Sequence, residues 1–296
     1  MPIRHVAAAL LVVVLWGFNH VAAKVGVNAT GAPFWFVGIR LLMVAALLAP
    51  FVKLPTGSWR PMIALSFIYG TLHLGLMNFG LKGIDAATSV IMVQLGTPIT
   101  ILMGRFVFGE KFGIWRWAGI ALAFVGVAML AGEPRNVAPI YFIASIIGMA
   151  AWGVGNVFIK QMDRLHPLAI SCWSSLLAAP QLLLVSLFTE TNQLAVFDGW
   201  VPDFWLMVTY SAIGSSIFAH TMWNGLLHRY PMSTVAPFNL LVPVVGFAAA
   251  IALLHEPITD EKVIGGLLTF AGVTLIQVRM IMKHIANRDA ERTATP

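Results

Sequence analysis

Charge is scarce in this sequence: Asp, Glu, Lys and Arg make up 10 % of its 296 residues, while 59 % are hydrophobic. A soluble domain carries about 25 % charged residues, and a globular core cannot absorb this much apolar surface without leaving a greasy exterior. The composition excludes an ordinary soluble protein and places the chain in lipid, as an all-α polytopic membrane protein. Cysteine is scarcer still. Cys172 stands alone, so no intrachain disulfide can form, and no Cys/His spacing suits a metal. Neither a metal nor a cofactor is expected. The net charge of +6 does not point to nucleic acid, because the basic residues are scattered between apolar runs and form no patch.

The most informative absence lies within the apolar runs. All twelve Asp and Glu fall at run edges or in connections. A proton-driven exporter of organic cations generally uses an intramembrane carboxylate, which holds cation and proton in turn. None is present, so the expected cargo is neutral overall, such as an amino-acid zwitterion, and the expected mode is facilitated diffusion. Histidine is left as the side chain able to carry a proton, which keeps a proton-coupled drug/metabolite antiporter open as an alternative. A membrane-embedded enzyme, the alternative of another class, would need paired carboxylates, a Ser–base dyad or a metal set. No such constellation can be read, and the chain is not expected to be an enzyme.

Ten apolar runs are present, each near the 20 residues that cross a bilayer: 6–26, 33–52, 62–81, 86–106, 113–131, 138–159, 167–188, 204–226, 233–254 and 263–282. The first follows Arg4 but exceeds the short core of a signal peptide, and it is expected to be retained. Turn formers fill the connections, as in Leu54-Pro55-Thr56-Gly57-Ser58. With the N-terminus inside, thirteen of the eighteen Lys and Arg lie on that side; Lys24, Arg40, Lys82, Arg135 and Lys262 lie on the other. The bias places both termini in the cytoplasm.

The chain also repeats itself. Trp16-Gly17 with Lys24 is answered by Trp152-Gly153 with Lys160, 136 residues later. Pro98 and Pro243 are 145 apart, and Glu110 and Glu256 are 146 apart. Gly119, Phe124 and Gly126 recur at that last offset as Gly265, Phe270 and Gly272. Matches in one order with a slowly growing offset mark a duplication. The halves are residues 1–134 and 135–296, with five runs each. An odd number turns the second half over, giving ten transmembrane helices as two inverted five-helix repeats about an axis in the membrane plane.

These residues carry a family resemblance. Trp16-Gly17 with Lys24, Arg40 in the second run, and FGEKFGIWRWAGIALAFVGVAML at residues 108–130 resemble the first repeat of EamA-type drug/metabolite transporters. LLHEPITDEKVIGGLLTFAGVTLI at residues 253–276 resembles the second. The resemblance covers essentially the whole chain, and it implies ten helices and export of small metabolites. Within that superfamily the chain is most similar to YddG-type amino-acid exporters. The halves differ in charge, since Ser174 stands where Arg40 would recur.

Polar side chains deep in the runs are the candidate substrate-binding residues. Trp16, Asn19 and His20 share a helical face, as do Trp152 and Asn156. Arg40 sits about 10 Å into its run at 1.5 Å per residue. The third run adds His73, Met77 and Asn78, and the eighth adds His220, Trp223 and Asn224; His73 and His220 are not strict repeat mates. Trp173 joins the other tryptophans as flat wall for an aromatic cargo. Pro98 cannot bond to the carbonyl of Gln94, nor Pro243 to that of Asn239, so Gln94 and Asn239 complete the set. Gly96, Pro98 and Pro243 are read as hinges. The plainer readings are interhelical hydrogen bonds, packing prolines and snorkelling cations. Glu110 and Glu256 are read as structural, capping helices or pairing with nearby bases.

The sequence thus describes an exporter of small metabolites, neutral amino acids including aromatic ones, working by alternating access. Its cavity is expected between the first four runs of each half, with the fifth and tenth runs at the periphery. The partners are a small-molecule substrate and the lipid bilayer of a bacterial-type inner membrane; no nucleic acid and no obligate protein partner are expected.

Overall fold

The structure is a computed structural model that describes residues 1–108, 113–132, 137–162, 165–198, 201–230 and 232–294. No strand occurs among them. In hydrocarbon every backbone N–H and C=O must be satisfied within the protein, and helices do this locally. The helices are α1 (Ile3–Thr30), α2 (Pro33–Leu48), α3 (Trp59–Gly83), α4 (Ala86–Val93), α5 (Gly96–Phe108), α6 (Ile114–Ala131), α7 (Pro139–Gln161), α8 (Pro167–Thr189), α9 (202–229), α10 (Met232–Asn239), α11 (Val242–Leu254) and α12 (Asp260–Ala294). Proline opens α2, α7, α8 and α9, where its missing N–H costs no helical bond. Gly31 ends α1 at φ 69°, a left-handed turn that brings its N–H within 2.7 Å of Val27 O.

Eight stretches among the described residues are long and apolar enough to cross a bilayer: Ile3–Thr30, Pro33–Phe51, Trp59–Gly83, Ala86–Met103, Ile114–Ala131, Pro139–Asn156, Pro167–Thr189 and Asp260–Val278. Ten were expected. The two that fall short have identifiable causes. Residues 204–226 carry Ser211, Ser215, Ser216, His220 and Asn224, which lower the hydropathy. Residues 233–254 are broken at Leu240-Leu241, leaving Val242–Leu254 as a shorter apolar helix. A matching break at Gln94-Leu95 separates α4 from α5. Each break stands just ahead of a proline, Pro98 or Pro243, that cannot donate to the preceding turn.

Two further irregularities correspond. The middles of α3 and α9 widen into π-helix over Ser66–Gly75 and Tyr210–Ala219, segments that begin 144 residues apart. Packing pairs the two halves of the chain. α1 lies against α9 and α11, and α7 lies against α3 and α5. The first pairing is close because Gly17 meets Gly246, and the second because Gly153 meets Thr100. α2 packs on α8 and α6 on α12. In the α6–α12 pair, Gly119, Gly126, Gly265 and Gly272 let backbones touch; a Cβ at Gly119 would stand 2.8 Å from Gly272 O. Leu10, Leu11, Leu184, Phe188 and Leu267 are exposed and give the bundle its lipid-facing surface.

Carboxylates from distant parts of the chain cap two helix starts. Glu190 Oε1 accepts from the N–H of Phe34 at 2.8 Å and Oε2 from that of Trp35 at 3.1 Å, capping α2 from the end of α8. Glu256 Oε1 accepts from Ala86 at 2.7 Å and Oε2 from Ala87 at 2.9 Å, capping α4 from beyond α11. Lys262, which is fully buried, reaches Asp85 Oδ2 at 2.5 Å. Lys24 donates to Leu81 O at 2.6 Å and Ile84 O at 2.8 Å, at the carbonyl end of α3. Glu110, the Lys160 side chain and the seam between residues 134 and 135 lie outside the described residues.

Candidate substrate cavity

Among the described residues, Arg40 is the one charged side chain that the helices bury in the middle of a span away from any helix end. It sits on α2 and is 6 % exposed. Its Nη2 donates to Ser216 Oγ at 2.8 Å and its Nε to the same oxygen at 3.3 Å. Ser216 passes the bond on, donating to Ser211 O at 3.0 Å. Both serines belong to the π-segment of α9. A π-turn widens the helix and leaves carbonyls open to side chains, which is why such turns recur at functional sites. Ser215 O shows the same property, accepting from the Trp16 indole N–H at 3.3 Å and from His220 Nδ1 at 2.9 Å.

Beside Arg40 lies a cavity of about 340 Å³, within the range typical of small-molecule sites. α2 contributes Arg40 and Leu41; α3 contributes Leu65, Tyr69, Gly70 and Leu74; α7 contributes Ile159. α8 adds Ile170, Ser171, Ser174 and Ser175, and α9 adds Ser216, His220 and Asn224. The π-segments of α3 and α9 therefore both contribute to the lining. No carboxylate lines this cavity among the described residues. The lining combines hydroxyls with aliphatic side chains and holds a single permanent positive charge.

The structure gathers part of the predicted set here. Arg40, His220 and Asn224 line the cavity. Trp16 and Trp223 stand behind His220: the Trp16 ring is 5.1 Å from His220 and 5.3 Å from Trp223. A carbonyl only accepts, so His220 Nδ1 carries the proton of its bond to Ser215 O. His73 is held in the same way, Nδ1 donating to Gly148 O at 2.9 Å, with its ring 5.1 Å from Tyr69. His20 lies within Coulombic range of Arg40 and places Nδ1 3.3 Å from Ser89 Oγ.

Other predicted residues stand apart from the lining. Trp173 donates its indole N–H to Lys53 O at 2.8 Å and packs edge-on to Trp59, an anchor at the end of α8. Met77 is buried against Gly148. Asn78 Nδ2 donates to Leu74 O at 2.8 Å, and the Oδ1 atoms of Asn19 and Asn78 are buried with no partner among the described residues. Gln94 is half-buried at the α4–α5 break, Asn156 is half-buried on α7, and Asn239 is exposed at the end of α10. Pro98 and Pro243 are buried beside the two breaks. Gly96 is needed there, since a Cβ would fall 2.8 Å from the Trp152 ring.

Sequence reasoning overlooked the hydroxyl wall. Ser171, Ser174 and Ser175 follow the i, i+3, i+4 spacing of one helical face, a signal that was readable. Ser216 has no such signal, because the π-turn that aims it at Arg40 leaves no mark on hydrophobic periodicity. Thr71, Gln181 and Ser66 were also passed over. Thr71 Oγ1 donates to Gln181 Oε1 at 2.8 Å and Gln181 Nε2 to Ser66 Oγ at 3.1 Å, tying α3 to α8 beside the cavity.

Comparison with known proteins gives the family of the chain. The sequence matches the EamA-like transporter family twice, over residues 4–132 and 139–278. It is 34 % identical over 284 residues to a probable amino-acid metabolite efflux pump of Salmonella typhimurium, covering 90 % of this chain and 92 % of that protein. A protein of the same description from Escherichia coli is 32 % identical, with coverage of 90 % and 92 %. A probable terminal-alkyne amino-acid exporter of Streptantibioticus cattleyicolor is 26 % identical, with coverage of 94 % and 95 %. One solved crystal structure superposes with a TM-score of 0.62 at 18 % identity, covering 94 % of this chain and 98 % of that one, a likeness of fold.

Proposed function

The chain belongs to the EamA-like transporter family, and from that premise we propose that it exports small neutral amino acids, aromatic ones included, from the cytoplasm across the inner membrane. The observation that carries the reading is the cavity itself. It pairs one buried guanidinium with serine hydroxyls and an adjoining Trp16–His220–Trp223 cluster, and it lacks a carboxylate among the described residues. A zwitterion with an apolar side chain suits that combination; an organic cation does not. The relatives described as amino-acid efflux pumps support the same class.

The route is alternating access between two inverted five-helix halves, with the boundary between residues 134 and 135 and both termini cytoplasmic. Paired π-segments, paired breaks before Pro98 and Pro243, and the reciprocal packing of α1 on α9 and α11 and of α7 on α3 and α5 support this symmetry. In that orientation Leu65, Ile159, Ile170 and Asn224 lie in the cytoplasmic half of the membrane, so the cavity belongs to an inward-facing arrangement. Glu190, Glu256, Lys24 and the Lys262–Asp85 pair then hold the outer end shut. The halves rock about the α4–α5 and α10–α11 breaks. Transport is facilitated diffusion.

Purified protein in proteoliposomes preloaded with amino acids should give saturable counterflow, strongest for aromatic and bulky apolar substrates. No saturable flux of any amino acid would remove the substrate assignment. An imposed pH gradient separates the two energetic readings. Accumulation above the equilibrium level, lost on His220→Gln, would replace facilitated diffusion by proton coupling through histidine.

A further inference from the structure

Arg40 is better supplied with donors than with acceptors. A guanidinium offers five N–H groups in a planar fork. Both hydrogen bonds that Arg40 makes end on one neutral oxygen, Ser216 Oγ, so Nη1 takes no partner among the described residues. The residue lines the cavity although it is 6 % exposed. Taking a charge out of water is costly unless an opposite charge meets it with good geometry. Nothing in the lining provides that charge among the described residues, so it must come from what enters.

We infer that the cavity is a carboxylate site: Arg40 binds the carboxylate of the cargo, and nothing opposite demands the amino group. The inference rests on the transporter reading above and names the chemical group by which that site selects. A carboxylate accepts two parallel N–H bonds from guanidinium, the geometry that Ser216 cannot supply. An ammonium, by contrast, finds only groups without a negative charge: the hydroxyls of Tyr69, Ser171, Ser174 and Ser175, the His220 ring and the Asn224 amide. Those groups tolerate an amine but equally accept water, a neutral carbonyl or a hydroxyl. The charge balance gives an order. A monocarboxylate cancels Arg40 and leaves the cavity neutral. A zwitterion cancels it but brings a new positive charge with no carboxylate to meet it. An amine lacking a carboxylate adds like charge to like. The substrate class is therefore wider than amino acids: small monocarboxylates with an apolar or aromatic tail, including 2-oxo acids, 2-hydroxy acids and N-acylated amino acids.

The test is competition against labelled phenylalanine counterflow in proteoliposomes of the full chain. Phenylpyruvate and N-acetylphenylalanine should compete at least as well as phenylalanine itself. Phenylalaninamide and phenethylamine, which keep the ring and amine but lose the carboxylate, should compete about 10- to 100-fold more weakly, the usual worth of a charge-assisted hydrogen bond. Labelled phenylpyruvate should also cross on its own. Arg40→Gln should abolish the discrimination between phenylalanine and its amide, while Arg40→Lys, a point charge without the fork, keeps the preference but weakens it. If Arg40→Gln does not fold, the wild-type competition series decides alone. Phenylalanine flux with equal competition from the amide overturns the carboxylate assignment and leaves the transporter reading intact. Phenylalanine flux that phenylpyruvate and N-acetylphenylalanine do not inhibit overturns it too, because the amine is then required. Absence of saturable flux for every compound overturns the transporter reading instead.

Discussion

Glu256 offers a sharp test of how the bundle holds its closed end. Its two carboxylate oxygens accept from Ala86 at 2.7 Å and Ala87 at 2.9 Å, and both alanines are fully buried. The first N–H groups of a helix have no partner within it. Asp85, in the usual capping position, makes no side-chain cap bond to α4, so the distant Glu256 provides the cap. Glu256→Ala strands two donors where water cannot reach. At about 1–3 kcal/mol for each stranded group, the loss is about 2–6 kcal/mol. Glu256→Gln keeps one carbonyl oxygen but turns an NH₂ toward the second N–H, so about half of that loss, ~1–3 kcal/mol, is expected. Glu190 is the internal control. Phe34 and Trp35, whose N–H groups it accepts from, are partly exposed. Water can substitute at those two, so the buried Ser186 hydroxyl, which donates to Glu190 Oε2 at 2.5 Å, is the one group that Glu190→Ala strands, at about 1–3 kcal/mol. Equilibrium unfolding of the purified chain in mixed micelles gives the order: Glu256→Ala worst, Glu256→Gln and Glu190→Ala milder. A Glu256→Ala protein as stable as wild type, or no less stable than Glu256→Gln, would refute the reasoning.

Two other substitutions probe the moving and the static parts. Pro98→Ala and Pro243→Ala each restore an N–H at the break that precedes the proline. Both should slow counterflow severalfold at unchanged protein levels, and unchanged rates would remove the hinge role. Gly126→Leu forces a side chain against Gly265 O and Thr269 in the α6–α12 pair. It should lower stability by about 1–3 kcal/mol, the usual cost of overpacking, while KM for phenylalanine stays the same. A changed KM in correctly folded protein would place this pair in the transport path.

Class and helical runs were legible in the sequence for a simple physical reason. The solvent is hydrocarbon, so each span must be apolar, about 20 residues long and helical. That constraint is local and writes itself into composition. Position along the chain also exposed the duplication, because Trp16 with Trp152 and Pro98 with Pro243 keep their order. Residues 204–226 are counted among the ten runs, yet their serines and histidine keep them less apolar than the eight spans.

What belongs to the tertiary structure is the choice of partners. Arg40 reads from sequence as a cation with several fates; its actual oxygen, Ser216, is 176 residues away on a π-turn. Trp173 is the same residue type as Trp223, yet one anchors on Lys53 O and the other packs at a tilt against Trp16 by the cavity. Glu256 and Glu190 cap helices 170 and 156 residues away. Such bonds depend on distance in space between groups whose sequence separation carries no signal. Sequence alone settled that the chain folds as helices in lipid and was built twice over. Packing alone decided which of its few polar groups share one cavity, because a π-turn and a handful of glycine contacts set that geometry without altering the apolar pattern.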